Sequence, residues 1–225
     1  MRVTKNIFEP KSSRVIRILL SNPGKSWTLR ELAGEAGISL GYTHAVCSAL
    51  INGGYLVRNE TNQLTVVDPL TLLRRWAAYH QYSTANTFLD YYSFEREVDR
   101  LIEGFGKTRG RYALTGLSGA WLVAPHVRPV IVEAYVKGKE DAGAIADLLR
   151  LKPIPKNGNV RFVLPYDEGV FYRAQSIKGV KVVSNTQLYV DLFNNPARGE
   201  EASQAVLDFI RNSWSRVLLG GSSNV

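Results

Sequence analysis

The stretch of residues 27–68 constrains the fold most, because it carries the start and stop signals of two short helices. Thr28 stands at an N-cap position with Glu31 three residues later, which is the spacing of a capping box. Gly37 ends this helix, and Ser39 caps the next one. The second helix has an inward-facing stripe at helical spacing: Thr43, Val46, Cys47 and Leu50. A short turn between two such helices is typical of a helix-turn-helix.

The segments on either side extend this pattern. A preceding helix is predicted, capped by Ser12 or Ser13 and ended by the Asn-Pro-Gly of residues 22–24. Two short alternating runs, residues 55–58 and 63–67, flank a polar turn and predict a β-hairpin. Three helices followed by a hairpin wing make a winged helix-turn-helix, which we assign to residues 1–68.

A winged helix-turn-helix usually binds double-stranded DNA by placing the N-terminal half of its third helix in the major groove. That helix then faces the bases, the wing lies beside the backbone or a minor groove, and basic residues contact phosphates. The candidate DNA-binding residues are Lys11, Arg14, Lys25, Thr28, Arg30, Ser39, Tyr42, His44, Ser48, Arg58, Asn59 and Asn62. Residues 40–48 contain no Arg or Lys, so the common guanine contact is missing and weak or shape-based readout is expected. A protein-docking role for the module stays open.

The charge of the chain agrees with a nucleic-acid partner. Lys and Arg number 28 against 20 Asp and Glu, a formal charge of +8, and residues 1–85 hold ten of the basic and five of the acidic residues. A basic excess concentrated on the N-terminal part is the expected electrostatic footprint of DNA binding. The single cysteine, Cys47, excludes an internal disulfide framework and lies on a predicted buried face.

Neither a metal nor a cofactor is expected. His44, His80 and His126 are scattered, without acidic or cysteine partners at ligand spacing. No run is long enough for a membrane span, and the N-terminus lacks a signal-peptide pattern. The expected compartment is therefore the cytoplasm.

The remainder of the chain divides into three predicted parts. Residues 69–92 form a helical connector, whose tyrosines make either an aromatic platform for nucleobases or, as we favour, a domain junction. Residues 93–215 alternate between helices and strands, which predicts a mixed α/β domain and an α+β fold class for the whole chain. Residues 216–225 form a flexible tail. Strands are predicted at residues 111–114, 130–136, 160–164, 170–174 and 181–183, and helices at residues 94–105, 120–123, 142–151, 185–192 and 199–214.

Two segments near the C-terminus carry a family resemblance. Residues 183–192 read VSNTQLYVDL and residues 196–202 read PARGEEA. Together with the N-terminal module they resemble AbiEi-type antitoxins of type IV toxin–antitoxin systems. The signature residues are Gln187, Tyr189, Asp191, Arg198, Gly199, Glu200 and Glu201. The resemblance implies a regulator that represses its own operon and opposes a nucleotidyltransferase-like toxin, without requiring a stable complex with it.

The resemblance also implies that the C-terminal domain has a nucleotidyltransferase-like fold. An active transferase needs a glycine-serine turn for phosphates and a strand with two acidic residues one apart for Mg²⁺. Residues 115–119 offer the turn, but the following strand carries only Glu133, with Tyr135 in the second position. We therefore expect a degenerate fold without enzyme activity, in which Gly116 and Gly119 serve close packing.

Several alternatives remain open at this point. Arg198 pairs with Asp191 or Glu201 as a clamp, or these residues join Gln187 in a surface for a partner. The protein is an autorepressing antitoxin, a nucleotidyltransferase-like enzyme targeted to DNA, or a ligand-responsive winged-helix repressor with an apolar pocket. The enzyme alternative requires another acidic side chain, for example Asp147, Asp167 or Glu168, within metal-sharing distance of Glu133.

Overall fold

The computed structural model describes residues 5–220. Its N-terminal part contains three helices, α1 (Pro10–Ser21), α2 (Leu29–Ala36) and α3 (Leu40–Asn52), and an antiparallel hairpin of β1 (Leu56–Arg58) and β2 (Leu64–Val66). The elements follow the predicted order. Trp27 forms an isolated bridge with Leu64, so the chain before α2 is tied to the hairpin.

Local signals set the helix ends in this part. Thr28 and Glu31 form the predicted capping box, and Ser39 accepts the amide of Tyr42 at the start of α3. Gly37 closes α2 with a left-handed φ of 62°. The prediction for α1 was wrong in one respect: Glu9 precedes the helix, while Ser12 and Ser13 lie inside its first turn and are fully buried.

The segment predicted as a helical connector is only partly helical. Asp68 caps α4 (Pro69–Tyr79), and a single turn, α5 (Tyr82–Ala85), follows. Residues 87–92 are instead β3 (Thr87–Tyr92), an inner strand of the large sheet. Aromatic and apolar side chains in this run are half-buried between neighbouring strands, an environment that favours strand over helix.

The C-terminal part is built on a mixed seven-stranded sheet in the order β6-β3-β7-β5-β4-β9-β8. The pairs β5/β7 and β4/β9 are parallel, and the other pairs are antiparallel. The chain is therefore of mixed α and β structure, as predicted. The remaining elements are α6 (Val98–Phe105), β4 (Tyr112–Thr115), α7 (Gly116–Val123), β5 (Val132–Val136), α8 (Lys139–Leu148), β6 (Lys152–Pro153), β7 (Val160–Leu164), a 3-10 helix (Glu168–Phe171), β8 (Gln175–Ile177), β9 (Val180–Val182), α9 (Asn185–Phe193) and α10 (Gly199–Gly220).

Some predicted elements of this part were wrong. Residues 170–174 are not a strand: a 3-10 helix ends at Phe171, and Asp167 caps it by accepting the amide of Gly169. The edge strands β6 and β8, two and three residues long, were not predicted. The predicted turn at residues 115–119 forms the start of α7. Helix α10 runs to Gly220, so the predicted tail is helical over residues 216–220, and residues 221–225 lie outside the described residues.

Two apolar clusters cover the two faces of the sheet. One contains residues of α6, α8 and one sheet face, such as Ile102, Ile145 and Phe162. The other runs continuously from the N-terminal helices through Trp76 of α4 to α9, α10 and the opposite sheet face. The N-terminal part therefore packs onto the sheet through an apolar core, and polar groups lie within that junction.

Candidate nucleic-acid interface and the buried junction behind it

A groove opens between the start of α2, the N-terminal half of α3 and the hairpin. Its volume is about 510 Å³. It brings together five predicted DNA-binding residues that are separated in sequence. The lining residues are Thr28, Leu29, Arg30, Leu40, Gly41, His44, Arg58, Thr61 and Asn62.

The exposed face of α3 borders this groove. His44 and Ala45 are exposed and Ser48 is half-buried, while the hydroxyl of Ser39 caps the helix. Leu40 was missed by sequence reasoning, although its side chain is 46% exposed and lines the groove. Its position in the sequence indicates this exposure, because Leu40 directly follows the N-cap and lies outside the buried stripe of the helix.

The hairpin turn is held by its own side chains. Arg58 donates to Asn62 Oδ1 at 2.7 Å, and Asn59 Oδ1 accepts the amide of Gln63 at 2.8 Å. Asn62 has a left-handed φ of 61°, which asparagine tolerates better than most residues. Among residues 5–220, neither Arg58 nor Arg30 has a carboxylate oxygen within 4.0 Å. These two guanidinium groups therefore flank the groove without an acidic partner.

Tyr42 is turned away from the groove. Its hydroxyl donates to Glu9 at 2.5 Å and lies 3.2 Å from the hydroxyl of Ser12 in α1. The ammonium groups of Lys5 and Lys11 lie 4.3 and 5.1 Å from the centre of its ring. The predicted position of Tyr42 at the base edges is therefore corrected, because its hydroxyl is engaged in holding α3 against α1.

Two predicted phosphate contacts are also used inside the protein. Arg14 makes a bidentate pair with Asp167, with Nε–Oδ1 and Nη2–Oδ2 distances of 2.9 and 2.8 Å. This pair links α1 to the C-terminal part, and it replaces the predicted phosphate contact of Arg14. Lys25 lies 3.6 Å above the ring of Trp27 and 3.5 Å from Glu31, so its charge is partly compensated.

Behind the groove, α1 carries a buried arginine into the junction. Arg17 is only 1% exposed. Its guanidinium donates to Gln187 Oε1 at 2.7 Å, to Ser13 Oγ at 2.7 Å and to the hydroxyl of Tyr166. Its central carbon lies 4.9 Å from the ring centre of Trp76. A buried cation needs this many partners because leaving it unpaired costs several kcal/mol.

The negative charge that compensates Arg17 is the carboxylate of Asp191, which is linked to Arg17 through Gln187. Gln187 donates to Asp191 Oδ1 at 2.7 Å, and Asp191 is fully buried. The same carboxylate accepts the hydroxyls of Thr115 at 2.6 Å and Tyr135 at 3.1 Å. His80 Nε2 lies 3.5 Å from it. The network therefore connects α1 to α9 and to the two central strands β4 and β5.

These contacts divide the signature residues into two groups. Gln187, Tyr189 and Asp191 are buried in α9, and Gly199 is buried where a Cβ would lie 2.3 Å from Leu192 O. Arg198, Glu200 and Glu201 are exposed, and Arg198 pairs with Glu201 at 2.6 Å. The alternative pair between Arg198 and Asp191 was wrong, since Asp191 is enclosed. A partner surface that includes Gln187 and Asp191 is excluded for the same reason.

Residues 65–211 match the family model described as transcriptional regulator, AbiEi antitoxin, type IV TA system. The match covers more than half of the chain and includes the entire sheet and the buried part of the junction contributed by α9. The chain belongs to the AbiEi family. Helices α1–α3 lie outside the matched segment. Comparisons with curated proteins and with solved structures gave no significant match.

Glu133 is the carboxylate that the transferase alternative requires, and in this AbiEi protein it faces an arginine. Arg161 is its partner in the β5/β7 register, with Nη1 3.6 Å from Glu133 Oε1 and Nε 2.8 Å from Asp90 Oδ1. Burial raises the pKa of Glu133 to about 7, and the charges of Asp191 and Asp90 add to this rise. The acidic groups near Glu133 are therefore Asp90, which pairs with Arg161, and Asp191, which accepts from Gln187, Thr115 and Tyr135.

The single cysteine of this AbiEi protein, Cys47, is buried. Burial raises the pKa of the Cys47 thiol to about 12, which keeps it protonated and unreactive. Residues 5–220 contain no group of three His, Cys, Asp or Glu side chains that could hold a metal ion. Within the same residues, no helix is long and apolar enough to cross a membrane.

A cavity of about 350 Å³ lies where the end of α1 meets α9 and α10. Its lining mixes apolar side chains, such as Ile210 and Trp214, with the polar residues Ser184, Lys25 and Arg173. The ligand-responsive alternative expected a deep apolar pocket with a few polar groups, and this cavity combines apolar with polar lining residues.

Proposed function

We propose that this AbiEi protein binds the double-stranded DNA of its own operon through a winged helix-turn-helix in residues 1–68. Binding there represses transcription of the operon. The observation that carries the proposal is the groove, where Thr28, Arg30, His44, Arg58 and Asn62 converge from three elements onto one open surface. These are the elements that a winged helix-turn-helix brings to DNA.

The charges around the groove suit a polyanion. Arg30 and Arg58 line the groove together with the N-terminal half of α3, and both are exposed. Phosphate contacts of this kind position a protein on the duplex and make its affinity depend on salt. The inward-facing arginines, Arg14 and Arg17, hold the N-terminal part against the sheet and leave DNA binding to the groove residues.

The C-terminal part, built on the seven-stranded sheet that starts with β3 at residue 87, supplies the antitoxin activity in this proposal, and α4 and α5 join it to the DNA-binding part. It opposes a nucleotidyltransferase-like toxin without forming a stable complex with it. Its sheet is consistent with a degenerate nucleotidyltransferase fold, because α7 begins at Gly116 with a left-handed φ of 56° beside Glu133 on the next strand. Tyr135 stands at the position of the second carboxylate of this strand, and Arg161 pairs with Glu133, so we expect no nucleotidyl transfer.

Fluorescence anisotropy tests the DNA half of the proposal. The full chain is titrated into a labelled duplex from its own upstream region and into a scrambled duplex, at several salt concentrations. We expect tighter binding to the upstream duplex, weakened by salt. In Arg30→Ala/Arg58→Ala the salt slope falls by about 2, roughly one for each lost phosphate contact.

The matched control is Arg96→Ala/Arg109→Ala, which removes two exposed arginines from the C-terminal part. This variant has the same net charge as the groove variant, and we expect it to keep the wild-type slope. Equal binding to both duplexes, or equal loss in the two variants, would exclude sequence-specific binding through the groove.

A further inference from the structure

The face that α3 presents to the groove is mainly apolar. Leu40 is 46% exposed, Gly41 and Ala45 are exposed, and His44 is the polar side chain between them. Residues 40–48 contain no Arg, Lys, Asn or Gln, which are the side chains that usually make bidentate contacts to bases. The exposed part of the Leu40 side chain is therefore available for contacts outside the fold.

Gly41 has no structural reason to be glycine. A Cβ built at this position meets no heavy atom within 4 Å, and its φ is not left-handed. Glycine inside a helix is less stable than alanine by roughly 0.5–1 kcal/mol. The position therefore lowers helix stability and leaves the helix backbone open at the centre of the exposed face.

These two observations fit one feature of the major groove. The C5 methyl group of thymine is the apolar group that the base edges display there, and small or apolar side chains recognise it. Leu40 and Ala45 offer such contacts at the two sides of the face. A glycine between them lets the helix backbone approach the base edges closely.

We propose that α3 reads thymine methyl groups through Leu40 and Ala45, and that Gly41 allows the close approach this requires. The proposal rests on the DNA binding proposed above, and it names the bases that the groove selects. Selectivity then comes from A·T pairs at fixed positions, with Arg30 and Arg58 supplying affinity at the backbone.

Removing the methyl groups from the DNA tests this directly. The upstream region is amplified with dUTP in place of dTTP, which keeps base pairing and removes every thymine methyl. We expect the wild-type protein to bind the uracil duplex more weakly, by about fourfold for each methyl contacted. Leu40→Ala should bind the native duplex more weakly and show a smaller difference between the two duplexes.

Val130→Ala is the matched control, since Val130 is an exposed apolar residue of the C-terminal part. It should keep the full wild-type difference. Uracil also alters the shape of the duplex, but a shape effect would be the same in Leu40→Ala. If Leu40→Ala keeps the full difference between the duplexes, methyl readout by this residue is overturned.

Gly41→Ala separates recognition from stability. A new methyl group at this position meets open space, so the melting temperature should rise, while affinity for the native duplex should fall. Gly143→Ala in α8 also places a Cβ where no heavy atom lies within 4 Å, and it should raise the melting temperature without changing DNA affinity. If Gly41→Ala binds the upstream duplex as tightly as wild type, close approach at Gly41 is overturned.

The outcomes also distinguish this proposal from the one on which it rests. If the wild type binds native and uracil duplexes equally, and both better than scrambled DNA, methyl readout fails and operator binding stands. If the upstream and scrambled native duplexes bind equally, sequence-specific DNA binding itself fails and the methyl proposal falls with it.

Discussion

The groove and the buried junction use arginine in opposite ways. Arg30 and Arg58 line the groove, exposed and without an acidic partner among the described residues. Arg17 is buried in the junction, where Gln187, Ser13 and Tyr166 accept its hydrogen bonds. The guanidinium groups of Arg30 and Arg58 are accessible to a ligand, whereas that of Arg17 makes its contacts inside the fold. The difference shows that a basic N-terminal part is not uniformly a binding surface.

The junction balances a buried positive charge with a negative charge that it does not contact directly. The cation of Arg17 and the carboxylate of Asp191 do not touch directly, since Gln187 accepts from one and donates to the other. Because the intervening amide fixes both geometries, the orientation of α1 on α9 is specified by hydrogen bonds as well as apolar packing. In the groove, Arg58 donates to the neutral amide of Asn62, and neither Arg30 nor Arg58 has a carboxylate partner among the described residues.

The largest expected effect is at the centre of the junction. Asp191→Ala removes the acceptor for Gln187, Thr115 and Tyr135 and leaves a buried cation uncompensated. We expect a loss of about 3–5 kcal/mol in the free energy of unfolding, measured by urea denaturation. Asp208→Ala, which breaks an exposed pair with Arg211, should cost less than about 1 kcal/mol. Similar losses in both variants would show that the buried network has no special role.

The next effect is a pH dependence from Glu133. Its pKa is raised by burial from 4.5 to about 7, so the folded state holds the proton more tightly than the unfolded state. The associated stability is fully present below pH 4.5 and is lost as the pH rises through about 7, a change of up to about 3 kcal/mol.

Glu133→Gln removes this titration. The free energy of unfolding, measured with urea from pH 4 to 8, should fall in the wild type relative to the variant as the pH rises. A difference that stays constant with pH would mean that Glu133 titrates normally in the folded state.

A smaller effect distinguishes a structural arginine from a DNA-binding one. Arg14→Ala breaks the bidentate pair with Asp167 and should lower the free energy of unfolding by about 2 kcal/mol. It should leave the salt slope of DNA binding unchanged, in contrast to Arg30→Ala. A double-mutant cycle with Asp167→Ala isolates the pair. A reduced salt slope in Arg14→Ala would restore the predicted phosphate contact.

The smallest effect concerns the cap of α2. Thr28→Ala removes the capping box with Glu31 and should cost about 1 kcal/mol of stability, measured by thermal unfolding. Thr28→Ser keeps the hydroxyl and should remain close to wild type. If both variants lose the same stability, the methyl group of Thr28 rather than its cap is responsible.

Sequence reasoning succeeded where local signals decide the structure. Thr28, Gly37 and Ser39 set the ends of α2 and α3, and the signals lie within a few residues of each end. The α9 and α10 helices were also predicted, and in the structure Ser184 caps α9 by accepting the amide of Gln187. The groove followed from the order of these elements, although the exposure of Leu40 did not.

The junction could not be predicted in the same way, because its contacts join distant parts of the chain. Arg17 and Gln187 are separated by 170 residues, and Arg14 and Asp167 by 153. One signal was present: Arg17 interrupts the apolar run VIRILL, and α1 proves to be buried on nearly all sides. A lone arginine in such a run indicates a buried, fully bonded cation.

Hydrogen–deuterium exchange of the full chain, with and without the native upstream duplex, tests the central distinction most directly. The account predicts slower exchange at the start of α2, along the N-terminal half of α3 and in the β1–β2 hairpin. Amides of α9, next to the buried Gln187 and Asp191, should exchange at the same rate in both conditions. Protection confined to the C-terminal sheet and its helices, with the groove unchanged, would contradict the account.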